Sequence, residues 1–208
     1  MKAAHELRIV GGRLKRSRLP VADKPGLRPT PDRVRETLFN WLGQDLSGWR
    51  CLDAFAGSGA LGFEAASRGA AEVLLLEQDA ELVRSLQASR LRLQAQALRV
   101  ERADALAWMA AAPAGRFDLV LLDPPFDADL VERALPLALR LAAPDGLVYV
   151  EVRQALPAPP QAWAMHRQGR AGGVHFHLLR RKPGAECAVR TAATLAPATA
   201  PSAPRSSP

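Results

Sequence analysis

Five short apolar runs of strand length alternate with helix-patterned segments between residues 49 and 152, and that order leaves the chain few ways to fold. The runs are Trp49 to Ala54, Glu72 to Leu76, Leu98 to Glu101, Phe117 to Leu122 and Gly146 to Val152. Their length and nearly continuous apolar character suit strands covered on both faces, as in a parallel sheet. Between them lie Ala60 to Arg68, closed by Gly69, then Ala80 to Gln94, Ala105 to Ala111, and Ala128 to Leu141, which ends near Pro144-Asp145-Gly146. These read as helices, with Gly69 just past a helix end. Strand and helix in strict alternation, joined by right-handed crossovers, predict an α/β fold with a doubly wound, mostly parallel sheet. Trp163 to Arg181, interrupted by Gly172-Gly173, predicts a closing antiparallel hairpin.

Upstream, Leu7 to Val10 and Ser17 to Val21 flank Gly11-Gly12-Arg13-Leu14-Lys15-Arg16, a basic hairpin expected outside the main sheet. Thr30-Pro31-Asp32 offers an N-cap, a proline at the first helical position and an acid in the first turn. Val34, Leu38, Trp41 and Leu42 then fall on one helix face, with Arg33 and Arg35 on the other. From about Pro183 the chain turns to Ala, Pro, Ser and Thr, which cannot build a core and predicts a disordered tail. The expected division is a basic hairpin and helix over 1–43, a catalytic domain over 44–182 and the tail over 183–208.

Charge follows the same division. Residues 1–40 hold ten Lys or Arg against four acids, residues 41–150 ten against fifteen, and residues 151–208 eight against two. Local balances of +6, −5 and +6 describe an acidic body with basic flanks, which delegates a polyanion to the arms and something else to the body. Arg13, Arg16, Arg18, Arg28, Arg33 and Arg35 are the expected phosphate contacts. No window of 18 apolar residues and no secretory leader are present, so a cytoplasmic protein is expected. Cys51 and Cys187, far apart and outside any Cys-x-x-Cys, supply neither a disulfide framework nor a metal site.

Asp53-Ala54-Phe55-Ala56-Gly57-Ser58-Gly59-Ala60-Leu61-Gly62 follows the first run and opens a helix, with Glu77 at the end of the next run. This strand, glycine loop and helix predict a nucleoside cofactor site. Charge selects the cofactor. A dinucleotide would set its pyrophosphate near Asp53, with no Lys or Arg in the loop to compensate. S-adenosylmethionine carries a sulfonium and an ammonium, which a carboxylate-rich pocket favours. The expected contacts are Asp53 at the methionine end, Glu77 at the ribose and Asp104 at the adenine, with Ala54, Gly57, Ser58, Gly59, Gln78 and Ala105 also at the cofactor.

Asp123-Pro124-Pro125-Phe126 follows the fourth run, where parallel sheets place their active sites. Two prolines stiffen the loop, so the Asp123 side chain and the Pro124 carbonyl can be held as paired acceptors. Such a pair fits an exocyclic amine on a nucleobase, whose lone pair is otherwise delocalised into the ring. Phe126 offers a face on which an extruded base can stack. Neither cysteine follows a proline, which disfavours methylation at a ring carbon through a thiolate. These residues select an amine and not a base: adenine N6, cytosine N4 and guanine N2 all remain open, on RNA or DNA. A non-catalytic S-adenosylmethionine-binding assembly factor and an NAD oxidoreductase are the readings of other classes.

Three stretches together resemble a known family. They are Leu27-Arg28-Pro29-Thr30-Pro31-Asp32-Arg33-Val34-Arg35-Glu36-Thr37-Leu38-Phe39-Asn40-Trp41-Leu42, then Asp53 to Gly62, then Asp123 to Phe126 with Tyr149-Val150-Glu151 beyond. Over residues 7 to 182 the chain resembles the RsmD-type guanine-N2 methyltransferases of bacterial small-subunit ribosomal RNA. That resemblance implies a Rossmann-like class I methyltransferase fold with an N-terminal hairpin and helix. It implies transfer of methyl from S-adenosylmethionine, leaving S-adenosylhomocysteine, to N2 of guanine 966 of 16S rRNA. The implied partner is the assembled or partly assembled small subunit, met by a monomer. Asp123, Pro124 and Phe126 would lie at the target amine, and Asp53, Gly57, Gly59, Glu77 and Asp104 around the cofactor.

Overall fold

A computed structural model describes residues 5–24, 30–125 and 128–184. The 183–208 tail falls almost wholly outside the described residues, as do Arg28, Phe126 and Cys187.

A two-stranded antiparallel sheet comes first, β1 (His5–Arg8) and β2 (Arg18–Val21), followed by α1 (Asp32–Trp41). The alternating body then runs β3 (Arg50–Asp53), α2 (Ala60–Ser67), β4 (Glu72–Glu77), α3 (Ala80–Arg92), β5 (Leu98–Arg102), α4 (Ala105–Ala111), β6 (Phe117–Leu122), α5 (Ala128–Leu141) and β7 (Ala142–Val152). An antiparallel hairpin of β8 (Trp163–Ala171) and β9 (Val174–Arg181) closes it, turning at Gly172-Gly173. The seven-stranded sheet has the order β5-β4-β3-β6-β7-β9-β8, with β3 to β7 parallel and the last two strands antiparallel. The doubly wound sheet expected from the alternation is present.

Two differences from the sequence expectation have local causes. The strand read as Gly146 to Val152 begins earlier, at Ala142, and takes in Pro144-Asp145-Gly146. The helix stops at Leu141, and β7 runs on through that stretch, shifting register against β6 between Phe117 and Leu119. A bulge absorbs the proline, which has no N–H to give to the ladder. Thr30 does not cap α1 either: the residue before the helix is Pro31, no side chain caps it, and the Thr30 hydroxyl is engaged elsewhere.

Side chains alternate across each strand, so the sheet builds two cores. Cys51, Val73, Leu75, Leu119, Leu121, Tyr149 and Leu178 face one side, where α1, α2, α3 and the small hairpin pack. Leu52, Leu74, Leu76, Val120, Leu122, Val148 and Val150 face the other, under α4 and α5. Strict two-residue alternation with both faces buried is what continuous apolar strands require.

The N-terminal hairpin and α1 belong to this packing. Leu7, Ile9, Leu14, Leu19, Val34, Leu38 and Phe39 share the first core with Phe63 of α2. Polar contacts fasten the same interface: Val10 N–H donates to Glu64 Oε2 at 2.9 Å, and Leu14 N–H to Ser67 Oγ at 2.8 Å. Arg35 lies at its centre and is fully buried. Its guanidinium donates to Glu64 Oε2 at 3.3 Å, Asp32 Oδ1 at 2.5 Å, the Arg8 carbonyl at 2.8 Å and the Thr30 carbonyl at 3.2 Å. Arg68 pairs with the other oxygen of Glu64 at 2.8 Å. The sequence reading set Arg35 beside Arg33 as a surface phosphate contact, and the structure corrects this. The flank of α1 that carries Arg35 is covered by β1 and α2, while Arg33 stays exposed, so an amphipathic count that treats every charged residue as solvated assigns Arg35 to the wrong side.

Candidate active site

The chain winds from β3 outward to β5 and returns across β3 to β6, which leaves a crevice between β3 and β6 at the carboxyl ends of the strands. A cavity of about 680 Å³ fills it. The glycine loop, the ends of β3 and β4, the start of α4 and the Asp123-Pro124-Pro125 segment all line this cavity.

Asp53 ends β3 and is almost wholly buried, with Oδ2 accepting from Gly62 N–H at 2.9 Å. Burial pushes its carboxyl up to about 7; the Gly62 N–H opposes this, and the charges of Asp123 and Glu77 add to it. The loop glycines do separate jobs. Gly57 has φ 52°, and its N–H donates to Glu77 Oε2 at 2.9 Å, tying the loop to the end of β4. Gly59 has φ 81°, and an added Cβ would lie 2.6 Å from Leu86 and 2.8 Å from Phe63. Gly59 therefore permits packing at the start of α2 and is not among the residues lining the cavity.

Glu77 also accepts from Asp79 N–H at 2.9 Å through Oε1, so backbone donors hold both of its oxygens in one orientation. Asp104 Oδ1 caps α4 by accepting from Ala107 N–H at 2.8 Å, and the residue lines the cavity. Ala54, Ser58, Gln78 and Ala105 line the same space. Across the crevice, Asp123 Oδ2 accepts from the Thr30 hydroxyl at 2.9 Å, and burial pushes Asp123 up to about 6. Pro124 is buried and Pro125 exposed.

Six carboxyl groups line the cavity: Asp53, Glu77, Asp79, Asp104, Asp123 and Glu151. Among the described residues, Lys24 is the one cation lining it, and its ammonium is held 2.6 Å from Asp79 and 2.9 Å from Glu81. A space with this balance attracts a cationic ligand and repels a pyrophosphate. The residues thus fit a sulfonium cofactor with an amino group better than a dinucleotide. Two of these groups went unassigned in the sequence. Thr30 looked like a helix cap, and its place in the Leu27 to Leu42 stretch was the available signal. Glu151 stands in the Tyr149-Val150-Glu151 motif with no role of its own, although it lies on β7, beside the strand that leads into Asp123.

Arg13, Arg16, Arg18 and Arg33 are exposed on the hairpin and α1, and Arg18 pairs with Glu6 at 2.7 Å. Arg28 and Phe126 lie outside the described residues. No group of three or more potential metal ligands occurs among the described residues, and none of their helices is long and apolar enough to cross a membrane.

A model of the family described as "Conserved hypothetical protein 95" matches residues 7–180. The chain is 42% identical over 185 residues to "Ribosomal RNA small subunit methyltransferase D" of Escherichia coli strain K12, covering 87% of this chain and 93% of that protein. It is 40% identical over 186 residues to the protein of the same name from Haemophilus influenzae, covering 86% and 95%. The solved structure of yhhF from Escherichia coli superposes with a TM-score of 0.77 at 39% identity, covering 86% of this chain and 99% of that one.

Proposed function

Because this chain belongs to the family of Conserved hypothetical protein 95 and of the small subunit rRNA methyltransferases D, we propose that it is a methyltransferase acting on the N2 amine of a guanine in 16S rRNA. S-adenosylmethionine, when bound, supplies the electrophilic methyl group. The finer reading is guanine 966 in an assembled or partly assembled small subunit, methylated in the cytoplasm by a monomer.

One observation carries the reading: Asp123 and Pro124 line the same cavity as a carboxylate-lined glycine loop. Asp53 attracts the ammonium of the cofactor, while Glu77, oriented by Gly57 and Asp79, accepts from its ribose hydroxyls. Asp123 Oδ2 is occupied by Thr30, which leaves Oδ1 to accept one amine hydrogen while the Pro124 carbonyl accepts the other. Holding both hydrogens in fixed directions draws the amine away from planarity and frees its lone pair for in-line attack. The prolines make this geometry independent of the substrate. Exposed Arg13, Arg16, Arg18 and Arg33 contribute phosphate contacts around a splayed-out loop.

Small ribosomal subunits lacking the modification, incubated with the protein and labelled S-adenosylmethionine, should yield N2-methylguanosine at one mapped position. Label recovered solely in adenosine or cytidine would refute the reading, and mapping to another guanine would remove position 966.

A further inference from the structure

Glu151 is buried beside Asp123 and has no part in the function so far described. Leu122 of β6 pairs with Val150 of β7, so Asp123, just past the end of β6, and Glu151, still within β7, come next in register on neighbouring parallel strands at one end of the sheet. Both line the cavity. Glu151 Oε1 accepts from the buried Tyr149 hydroxyl at 2.8 Å. The Thr30 hydroxyl donates to Asp123 Oδ2 at 2.9 Å. Two carboxyl groups are therefore held at one end of the sheet, Glu151 by Tyr149 and Asp123 by Thr30.

Guanine, adenine and cytosine all offer an amine to Asp123 and Pro124. They differ at the ring nitrogen beside it. In guanine N1 carries a hydrogen, whereas adenine N1 and cytosine N3 present a bare lone pair. A flipped base is read along this edge, and a carboxylate there rewards a donor and repels a lone pair.

We propose that Glu151 reads guanine, its carboxylate accepting the N1–H bond while Asp123 and the Pro124 carbonyl hold the N2 amine. This rests on the guanine reading above and adds the residue that enforces it. Burial, with the Asp123 charge adding, pushes Glu151 up to about 8. An approaching N1–H and a cationic cofactor both favour its anion, so the acceptor forms when the correct ligands arrive.

The test uses the full chain and small subunits reconstituted with 2-aminopurine in place of the target guanine. That base keeps the 2-amine and has no hydrogen at N1. The wild type is expected to lose roughly 10- to 100-fold in kcat/KM on the analogue, the size of one hydrogen bond to a charged group. Glu151→Gln, whose amide can donate to a bare N1, should slow guanine and lower the guanine-to-analogue ratio roughly 10-fold or more below that of the wild type. Loss of the guanine O6 is common to both proteins and cancels between the two ratios. A wild type that treats both bases alike, or a Glu151→Gln protein that slows both equally, overturns the role of Glu151 and leaves guanine methylation standing. Methyl recovered on adenine from unsubstituted subunits overturns the parent function instead. The wild-type comparison does not depend on any variant folding, and the melting temperature of Glu151→Gln is read alongside.

Discussion

Arg35→Met separates a structural role from an RNA contact, because the two make opposite predictions for one side chain. Arg35 is fully buried and makes four hydrogen bonds, two to carboxylates and two to backbone carbonyls. Methionine keeps the unbranched stem and removes every donor. The Thr30 and Arg8 carbonyls then lose a buried partner, at about 1–3 kcal/mol each if no water replaces it. Glu64 loses one of its two guanidinium neighbours; breaking a buried pair costs about 3–5 kcal/mol, but Arg68 and the Val10 N–H still hold this carboxylate. These losses share one network and do not add, so the net expectation is about 3–5 kcal/mol. For a chain of this size that lowers the melting temperature by about 6–20 °C, at roughly 2–4 °C per kcal/mol. Arg33→Met, on the exposed side of α1, should stay within about 0.5 kcal/mol of wild type. Differential scanning calorimetry measures both. Subunit binding at several salt concentrations, below the melting point, supplies the second readout: a lost phosphate contact lowers the logarithmic salt slope by about one. The slope should hold for Arg35→Met and fall for Arg33→Met. An Arg35→Met protein that melts with the wild type and loses a unit of salt slope would refute the buried-network account.

Other perturbations probe the site itself. Asp123→Ala should cut single-turnover methyl transfer roughly a hundredfold or more while cofactor binding by calorimetry persists, as for lost contacts made in the transition state; undiminished transfer would remove Asp123 from the chemistry. Gly59→Ala combines a left-handed φ of 81° with a Cβ 2.6 Å from Leu86, so about 2–4 kcal/mol of destabilisation in urea titration is expected, and a neutral result would mean the loop relaxes freely. Asp53 has a folded pKa of about 7 against an ordinary 3.8, so the folded protein retains a proton that the unfolded chain releases. The stability linked to that proton is complete below about pH 4 and is lost as pH rises to about 7. Asp53→Asn should gain on wild type across that window by on the order of 4 kcal/mol, and a pH-independent difference in melting temperature would contradict the burial argument.

What the amino-acid order determined by itself was everything that depends on neighbours along the chain. Five apolar runs separated by helical segments admit little besides a parallel sheet with helices on both faces. Asp53 and Asp123 stand at strand ends in the linear pattern, so their arrival at one edge follows from the sheet rule. The sign of the cofactor charge was legible too, because the glycine loop contains an acid and no base. Tertiary structure alone decided the contacts that join distant segments. Thr30 reads as a cap, yet its hydroxyl reaches Asp123, 93 residues away. Arg35 reads as a surface charge until α2 and β1 pack against its side of α1 and bring Glu64 and the Arg8 carbonyl to it. Glu151 gains its place only when β7 pairs with β6 in the register that sets Val150 against Leu122. Periodicity reports which face of an element is apolar, but it carries no information about what folds over the polar face, and a buried polar group takes its role from that partner.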